Sequence, residues 1–375
     1  MGFKLIIAVI LLLLSLLVLF PAPVNFLWLV AVAVTNFPYV LMLFAAISFY
    51  LGTRATKYHW LIMIISLTAF IIYSLPVVEA YRQKKDVPLA MRNIFPVKNE
   101  NSFPAVFSFF KMFSANVNVL YKTFIYKNKD GKDLAADFYP SSIKVKSPLV
   151  IVIHGGSWQG GDSKQLPELN SYLAQKGFNV AAINYRLAPA YKAPSPVEDT
   201  RDVINYFISH AEELNIDTNN IVLLGRSAGA QIALNAAYDF KLPNIKGVVS
   251  YYGPADMVWG GQVKVSKLVL NTDLIYNNYF GGTYKEVPQK FVESSGFESA
   301  NKSSPPTLII HGTIDPLVSY NHALHLQKKL NGLKIPNYFL QLPFATHGCD
   351  YSLRGPAGQV CTYSVERFIK SVTGR

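Results

Sequence analysis

Five residues, Gly225-Arg226-Ser227-Ala228-Gly229, constrain the fold of this chain more than any other stretch. The apolar run Ile221 to Leu224 before them reads as a buried strand, and the alanine-rich stretch Ala228 to Ala237 after them has high helix propensity. A strand that turns straight into a helix through G-x-S-x-G leaves no room for a Cβ two residues before or after the serine. The turn predicts a strained Ser227 whose hydroxyl stands clear of the sheet, at a helix N-terminus where developing negative charge is stabilised.

The segments around this turn repeat the same theme. Leu149 to Ile153, Asn179 to Ile183, Ile221 to Leu224, Gly247 to Tyr251, Thr307 to Ile310 and Asn337 to Gln341 are short apolar runs that read as parallel strands. Helical stretches at Leu166 to Lys176, Val197 to Leu214 and Asn321 to Leu330 alternate with them, and Lys132 to Tyr139 alternates like an antiparallel edge strand. Residues 121–375 are therefore expected to form one α/β domain on a mainly parallel sheet. Within it, residues 254–304 form an insertion rich in Trp259, Leu270, Tyr276, Phe280 and other apolar side chains. Its place before the Asp315 loop suits a cap over a pocket, or a satellite core.

The chain is 51% hydrophobic, and the excess lies in its first eighty residues. Leu5 to Phe20, Phe26 to Leu51 and Trp60 to Val78 are each expected to cross a membrane, which makes residues 1–80 a three-helix membrane domain. The first run also has the form of a signal peptide, but Pro21-Ala22-Pro23-Val24 is a poor cleavage site and favours an uncleaved anchor. Trp28, Tyr50, Tyr58, Trp60 and Tyr73 are expected at the membrane interfaces. Lys4, Arg54 and Lys57 nearly balance Arg82, Lys84, Lys85 and Arg92, so the flanking charges favour neither orientation. Residues 81–120 are expected as a juxtamembrane linker. Its Phe103 to Phe113 segment either lies in the interface or covers an apolar patch of the next domain.

A net charge of +12 raises the question of nucleic acid, but no basic block exceeds two residues and no basic-aromatic interleaving occurs, so nucleic acid is not an expected partner. Cys349 and Cys361 allow one disulfide at most.

A serine hydroxyl needs a base, and the base needs a carboxylate. His59 lies between membrane segments, His210 inside a helical stretch, and His322 and His325 on the flanks of another helix. His154 and His311 end strands but carry other, structural or loop-forming, roles, and His347 remains, in a loop past the last strand, where sites of open parallel sheets lie. Asp315 hangs from the preceding strand in His311-Gly-Thr-Ile-Asp-Pro. Asp350, three residues from His347, is poorly placed to orient that ring and reads as a surface turn. Donors for an oxyanion are expected from Gly155 and Gly156, in His154-Gly-Gly-Ser-Trp158, together with the N–H of Ala228.

Four segments in order, His154 to Asp162, Asn184-Tyr-Arg-Leu-Ala-Pro189, Gly225 to Gly229 and His311 to Val318, resemble α/β-hydrolases of the hormone-sensitive-lipase-like and feruloyl-esterase-like carboxylesterase group. The resemblance implies the α/β-hydrolase fold, with Arg186 and Asp199 as a structural brace. Ser157 stands where many relatives have a third glycine, and the membrane helices lie outside the usual pattern. The chain is thus expected to be a membrane-anchored serine hydrolase of carboxylic esters using Ser227, Asp315 and His347, with no metal or organic cofactor. Its partners are an ester substrate and the bilayer. Acyltransfer, thioester hydrolysis and a non-catalytic binding role on the same fold are the alternatives.

Overall fold

The computed structural model describes residues 2–55, 57–100, 103–115 and 118–375. Each apolar run of the second half becomes a strand followed by a helix. In chain order these are β1 (Lys122–Lys129), β2 (Lys132–Tyr139), β3 (Ser147–Ile153), β4 (Asn179–Ile183), β5 (Ile216–Arg226), β6 (Ile245–Tyr251), β7 (Thr307–Gly312) and β8 (Asn337–Leu342). They form one sheet in the order β1-β2-β4-β3-β5-β6-β7-β8. Every pairing from β4 onward in that order is parallel, while β1–β2 and β2–β4 are antiparallel. The carboxyl ends of β5, β7 and β8 therefore share one rim, which brings residues 227, 315 and 347 together.

Lys132 to Tyr139 is not the edge. It lies between β4 and β1, whose residues are mostly exposed and so carry little apolar signal. The C-terminal helix Pro356–Thr373 is not among the expected helices, although Val360, Cys361, Val365, Phe368 and Ile369 line one of its faces. Fully burying an apolar side chain of this size stabilises by about 1.5–3 kcal/mol, so this helix is a large part of the core on its side of the sheet.

The N-terminal region departs further from expectation. It contains α1 (Phe3–Leu19), α2 (Asn25–Asn36), α3 (Pro38–Thr53) and α4 (His59–Ile94). Among the described residues only α4 is by itself long and apolar enough to cross a bilayer; α1 is shorter, with 17 residues. The expected second span is broken. Phe37, which precedes Pro38, is held out of the helical region at φ −124° and ψ 47°, and α2 and α3 diverge by 85°. By length and composition, one helix among the described residues could cross a membrane, or two if the bent pair counts as one span, against the three expected.

α2 instead docks on the second half of the chain. At its start the Asn25 backbone N–H donates to Leu268 O at 2.9 Å and its side-chain amide to Val269 O at 3.1 Å. At its end the Asn36 amide donates to Gly348 O at 3.3 Å and accepts from the Ser352 N–H at 3.2 Å. Two of the expected interfacial aromatics lie elsewhere. Trp28 faces residue 347, and Tyr73 is buried, donating to Leu11 O across the α1–α4 contact.

Nor is there a break near residue 80. α4 continues as one helix to Ile94, and Val77, Ala80, Val87 and Met91 pack into the sheet's core. Gln83 donates to Gln341 O at the end of β8. The expected linker is thus half helix and half cover. Val106, Phe107 and Met112 are buried in the same cluster, and Gln359 clamps both backbone groups of Ser108. Phe110, 84% exposed, points outward.

Candidate active site

Ser227 has φ 53° and ψ −121°, a conformation that costs of the order of 1–3 kcal/mol and persists only under tight constraint. The constraint is close packing at both flanking glycines. A Cβ on Gly225 would lie 2.1 Å from Gly229 O, and one on Gly229 would lie 2.2 Å from Ile153 O. The Ser227 N–H is held by Tyr251 O at 2.9 Å.

The hydroxyl Oγ of Ser227 is 3.0 Å from His347 Nε2, and His347 Nδ1 is 2.7 Å from Asp315 Oδ2. An ionised Asp315 makes Nδ1 the protonated nitrogen and leaves Nε2 free to accept the hydroxyl proton. Asp315 is fully enclosed. Burial alone would raise its pKa, but the imidazoles of His347 and His311, with the hydrogen bonds they donate, hold it well below the usual carboxylate range. Its other oxygen accepts the N–H groups of Leu317 and Val318 at 2.8 and 3.0 Å. His311 donates from Nε2 to Asp315 Oδ2 at 3.1 Å, so the carboxylate is fixed from several directions.

His347 itself is fixed by groups that the sequence does not single out. Tyr252 lies against its ring, with centroids 4.4 Å apart. The Trp28 indole N–H donates to the His347 carbonyl at 3.0 Å, joining α2 to this loop. Below the loop, Asp350 is buried and not a surface turn. It accepts from Arg226 Nε and from the Tyr252 hydroxyl, each at 2.6 Å. Tyr252 follows a strand's carboxyl end, the same cue that marks residue 347, and is legible on that ground. Trp28 sits in an apolar run and gives no such signal.

The expected oxyanion donors need one correction. The Gly155 N–H donates to Gln165 Oε1 at 2.8 Å and is therefore already engaged. Among the described residues no protein acceptor meets the N–H of Gly156 or of Ala228. Gly156 has φ +116°, and a Cβ there would lie 2.1 Å from Gly160 O, so only glycine fits. His154 holds the loop through Gly155 O at 2.7 Å and stacks on Tyr185, and burial lowers its pKa. Arg186 meets Asp199, Glu198 and Asp130 away from these groups.

Two cavities meet at Ser227. One, about 70 Å³, lies under the 254–304 insertion and is lined by Trp158, Trp259, Val263, Ile275 and Tyr276. The other, about 630 Å³, passes His347 and Gly156 and is walled by Trp28, Leu29, Val32 and Ala33 of α2. His322 lines the smaller cavity. It is buried, with Nδ1 accepting the Asp256 N–H at 3.2 Å, and is not on an outer helix flank. Cys349 and Cys361 are both buried and free. No cluster suited to a metal ion occurs among the described residues.

Two of these groups set an acid dependence of stability. Asp315, with its depressed pKa, contributes stability that is full above about 3.9 and is lost as the pH falls from there toward its folded value. Burial pushes His322 down to about 3. Below about pH 6.5 the unfolded chain therefore binds a proton at this residue that the folded chain refuses, and stability falls with falling pH. The urea midpoint of the full-length chain is expected to drop from about pH 7 to about pH 4. His322→Asn, which keeps an acceptor for the Asp256 N–H, is expected to flatten that slope. An unchanged slope would contradict a neutral buried His322.

A family model described as BD-FAE matches residues 137–330, just over half of the chain. Among curated relatives, Esterase LipC of Mycobacterium tuberculosis is 25% identical over 240 residues, covering 60% of this chain and 59% of the relative. The probable carboxylic ester hydrolase LipM of the same organism is 26% identical over 240 residues, covering 60% and 54%. The chain thus matches between one half and three fifths of these relatives' lengths. Among solved structures, a hyperthermophilic esterase from the archaeon Pyrobaculum calidifontis superposes with a TM-score of 0.58 at 20% identity, covering 80% of this chain and 95% of that one. A truncated carbohydrate esterase from gut microbiota superposes at 0.57 and 20% identity, covering 70% and 100%. At such identities the superpositions establish a shared fold.

Proposed function

We propose, from the premise that the chain belongs to the BD-FAE family and has the α/β-hydrolase fold, that it is a serine-dependent hydrolase of carboxylic esters held at a membrane. The reading is carried by the relay from Ser227 Oγ through His347 to Asp315, with contacts of 3.0 and 2.7 Å. Ser227 attacks the ester carbonyl as His347 Nε2 takes its proton, and Asp315 steadies the imidazolium. The N–H groups of Gly156 and Ala228 receive the oxyanion, and losing one such donor typically costs about 2.7–4 kcal/mol. His347 then returns the proton to the leaving alcohol, and water, activated by the same imidazole, releases the acyl group.

Because the leaving oxygen must receive its proton from His347, the alcohol belongs in the larger cavity, which His347 lines. The acyl group then enters the 70 Å³ pocket, which at roughly 10–15 Å³ per water-sized group holds about five such groups. Membrane attachment is supported by α4 and by the absence of any charged residue from Leu5 to Thr53.

A fluorophosphonate probe tests the reading directly. Full-length protein in detergent is expected to gain one adduct on the peptide containing Ser227, in parallel with loss of p-nitrophenyl acetate hydrolysis. A protein that hydrolyses nothing and takes no label would refute it.

A further inference from the structure

The larger cavity has an unusual wall. α2 brings an uncharged helical face to within reach of Ser227, and its two ends are tied to the insertion and to the loop that carries His347. Leu29 lines the cavity and is also 55% exposed, so the wall opens outward at that point. Tyr351, 54% exposed, lines the cavity too, and next to the lining residue Asn25 are two further exposed apolar residues, Phe26 (70%), which follows it in the chain, and Leu268 (71%), whose carbonyl accepts its N–H. Exposed large apolar side chains gathered beside a cavity are a costly surface to leave in water.

That surface is continuous with another. α2 turns by 85° into α3, whose Val40, Leu43, Phe44 and Ile47 are exposed, and α3 packs on α4, the helix long enough to span a bilayer. With α3 and α4 running into hydrocarbon, the sharp bend lays α2 across their direction. Tied at both ends to the second half of the chain, α2 then turns the free face that carries Phe26 and Leu29 toward the bilayer surface, where those side chains leave water.

We propose that the large cavity opens onto the bilayer through α2, and that its ligand is the lipophilic alcohol part of an ester drawn laterally from the membrane. The inference rests on the ester-hydrolase reading above and adds the substrate class and its route of entry. An apolar alcohol group leaving the bilayer passes between Phe26, Leu29 and Leu268, so it never crosses water, while the ester carbonyl comes to rest at Ser227. Hydrolysis leaves the alcohol facing the membrane and the small acid on the insertion side.

Two measurements on the full-length chain in phosphatidylcholine vesicles test this. Phe26 and Leu268 line neither cavity, so Phe26→Glu and Leu268→Glu are expected to leave hydrolysis of soluble p-nitrophenyl acetate unchanged. Turnover of dodecyl acetate dissolved in the vesicles is expected to fall about tenfold, because each carboxylate must be kept out of hydrocarbon. Independently, nitroxides attached at Phe26→Cys or Leu268→Cys are expected to collide with oxygen more than with a water-soluble nickel complex; the native cysteines are buried. Labels in water, or equal activity of the glutamate variants on dodecyl acetate, would overturn the proposal. So would wild-type protein that cleaves p-nitrophenyl acetate but not dodecyl acetate, with the hydrolase reading intact. Failure on both esters, with no fluorophosphonate adduct, would remove the hydrolase reading itself.

Discussion

Ser227→Ala is expected to lower kcat on p-nitrophenyl acetate by about four to six orders of magnitude while leaving the thermal midpoint nearly unchanged. The large effect follows from the relay, since without Oγ there is nothing for His347 to deprotonate and no acyl-enzyme forms. The small structural effect follows from the packing. The turn is held by the close approaches at Gly225 and Gly229 and by the Ser227 N–H, none of which involves the hydroxyl. The double variant Ser227→Ala/His347→Ala is expected to be little worse than either single variant, because groups that act as a unit are not additive. A Ser227→Ala protein that keeps a tenth of wild-type turnover would exclude this serine as nucleophile.

Arg226→Met is expected to destabilise the fold by about 3–5 kcal/mol, a large part of the 5–15 kcal/mol that typically separates folded from unfolded chains. Arg226 and Asp350 are each 1% exposed and meet at 2.6 Å directly beneath the candidate nucleophile. Removing the guanidinium leaves a carboxylate enclosed with one hydroxyl donor, Tyr252, where several kcal/mol of solvation have been lost. Replacing both partners by apolar residues, as in Arg226→Met/Asp350→Leu, is expected to recover most of the loss, because the penalty belongs to the unpaired charge. The urea midpoint reads both effects. A single variant losing less than about 1 kcal/mol would mean that the pair is solvated or dispensable. Activity is expected to fall with Arg226→Met as well, since Asp350 closes the loop that carries His347.

Residues whose roles depend on local backbone form are legible in the amino-acid sequence alone. Ser227 is marked by the glycines on either side, and His347 and Asp315 by their positions just past apolar strands. The resemblance carried by the segments from His154 to Val318 points to the same serine and aspartate, and the histidine lies beyond those segments. Gly155 is not legible in this way, because a glycine-rich loop advertises several N–H groups without saying which are taken. Gln165, ten residues on, takes one of them. Asp350 is hidden for a similar reason. A polar residue in a loop is exposed by default, and its partner Arg226 lies 124 positions away.

The N-terminal apolar helices divide along the same line. Composition and run length determined that Leu5 to Phe20, Phe26 to Leu51 and Trp60 to Val78 are apolar and mostly helical, because an uncharged apolar run removed from water must satisfy its backbone internally, which a helix does. The β-α alternation likewise determined a parallel sheet with one functional rim. Tertiary structure alone decided that α2 leaves the expected span, lies over the rim and hydrogen-bonds through Trp28 to His347, 319 positions away. Periodicity reports which face of an element is apolar, whereas the surface that covers that face is chosen only when the elements pack and their remaining polar groups find partners.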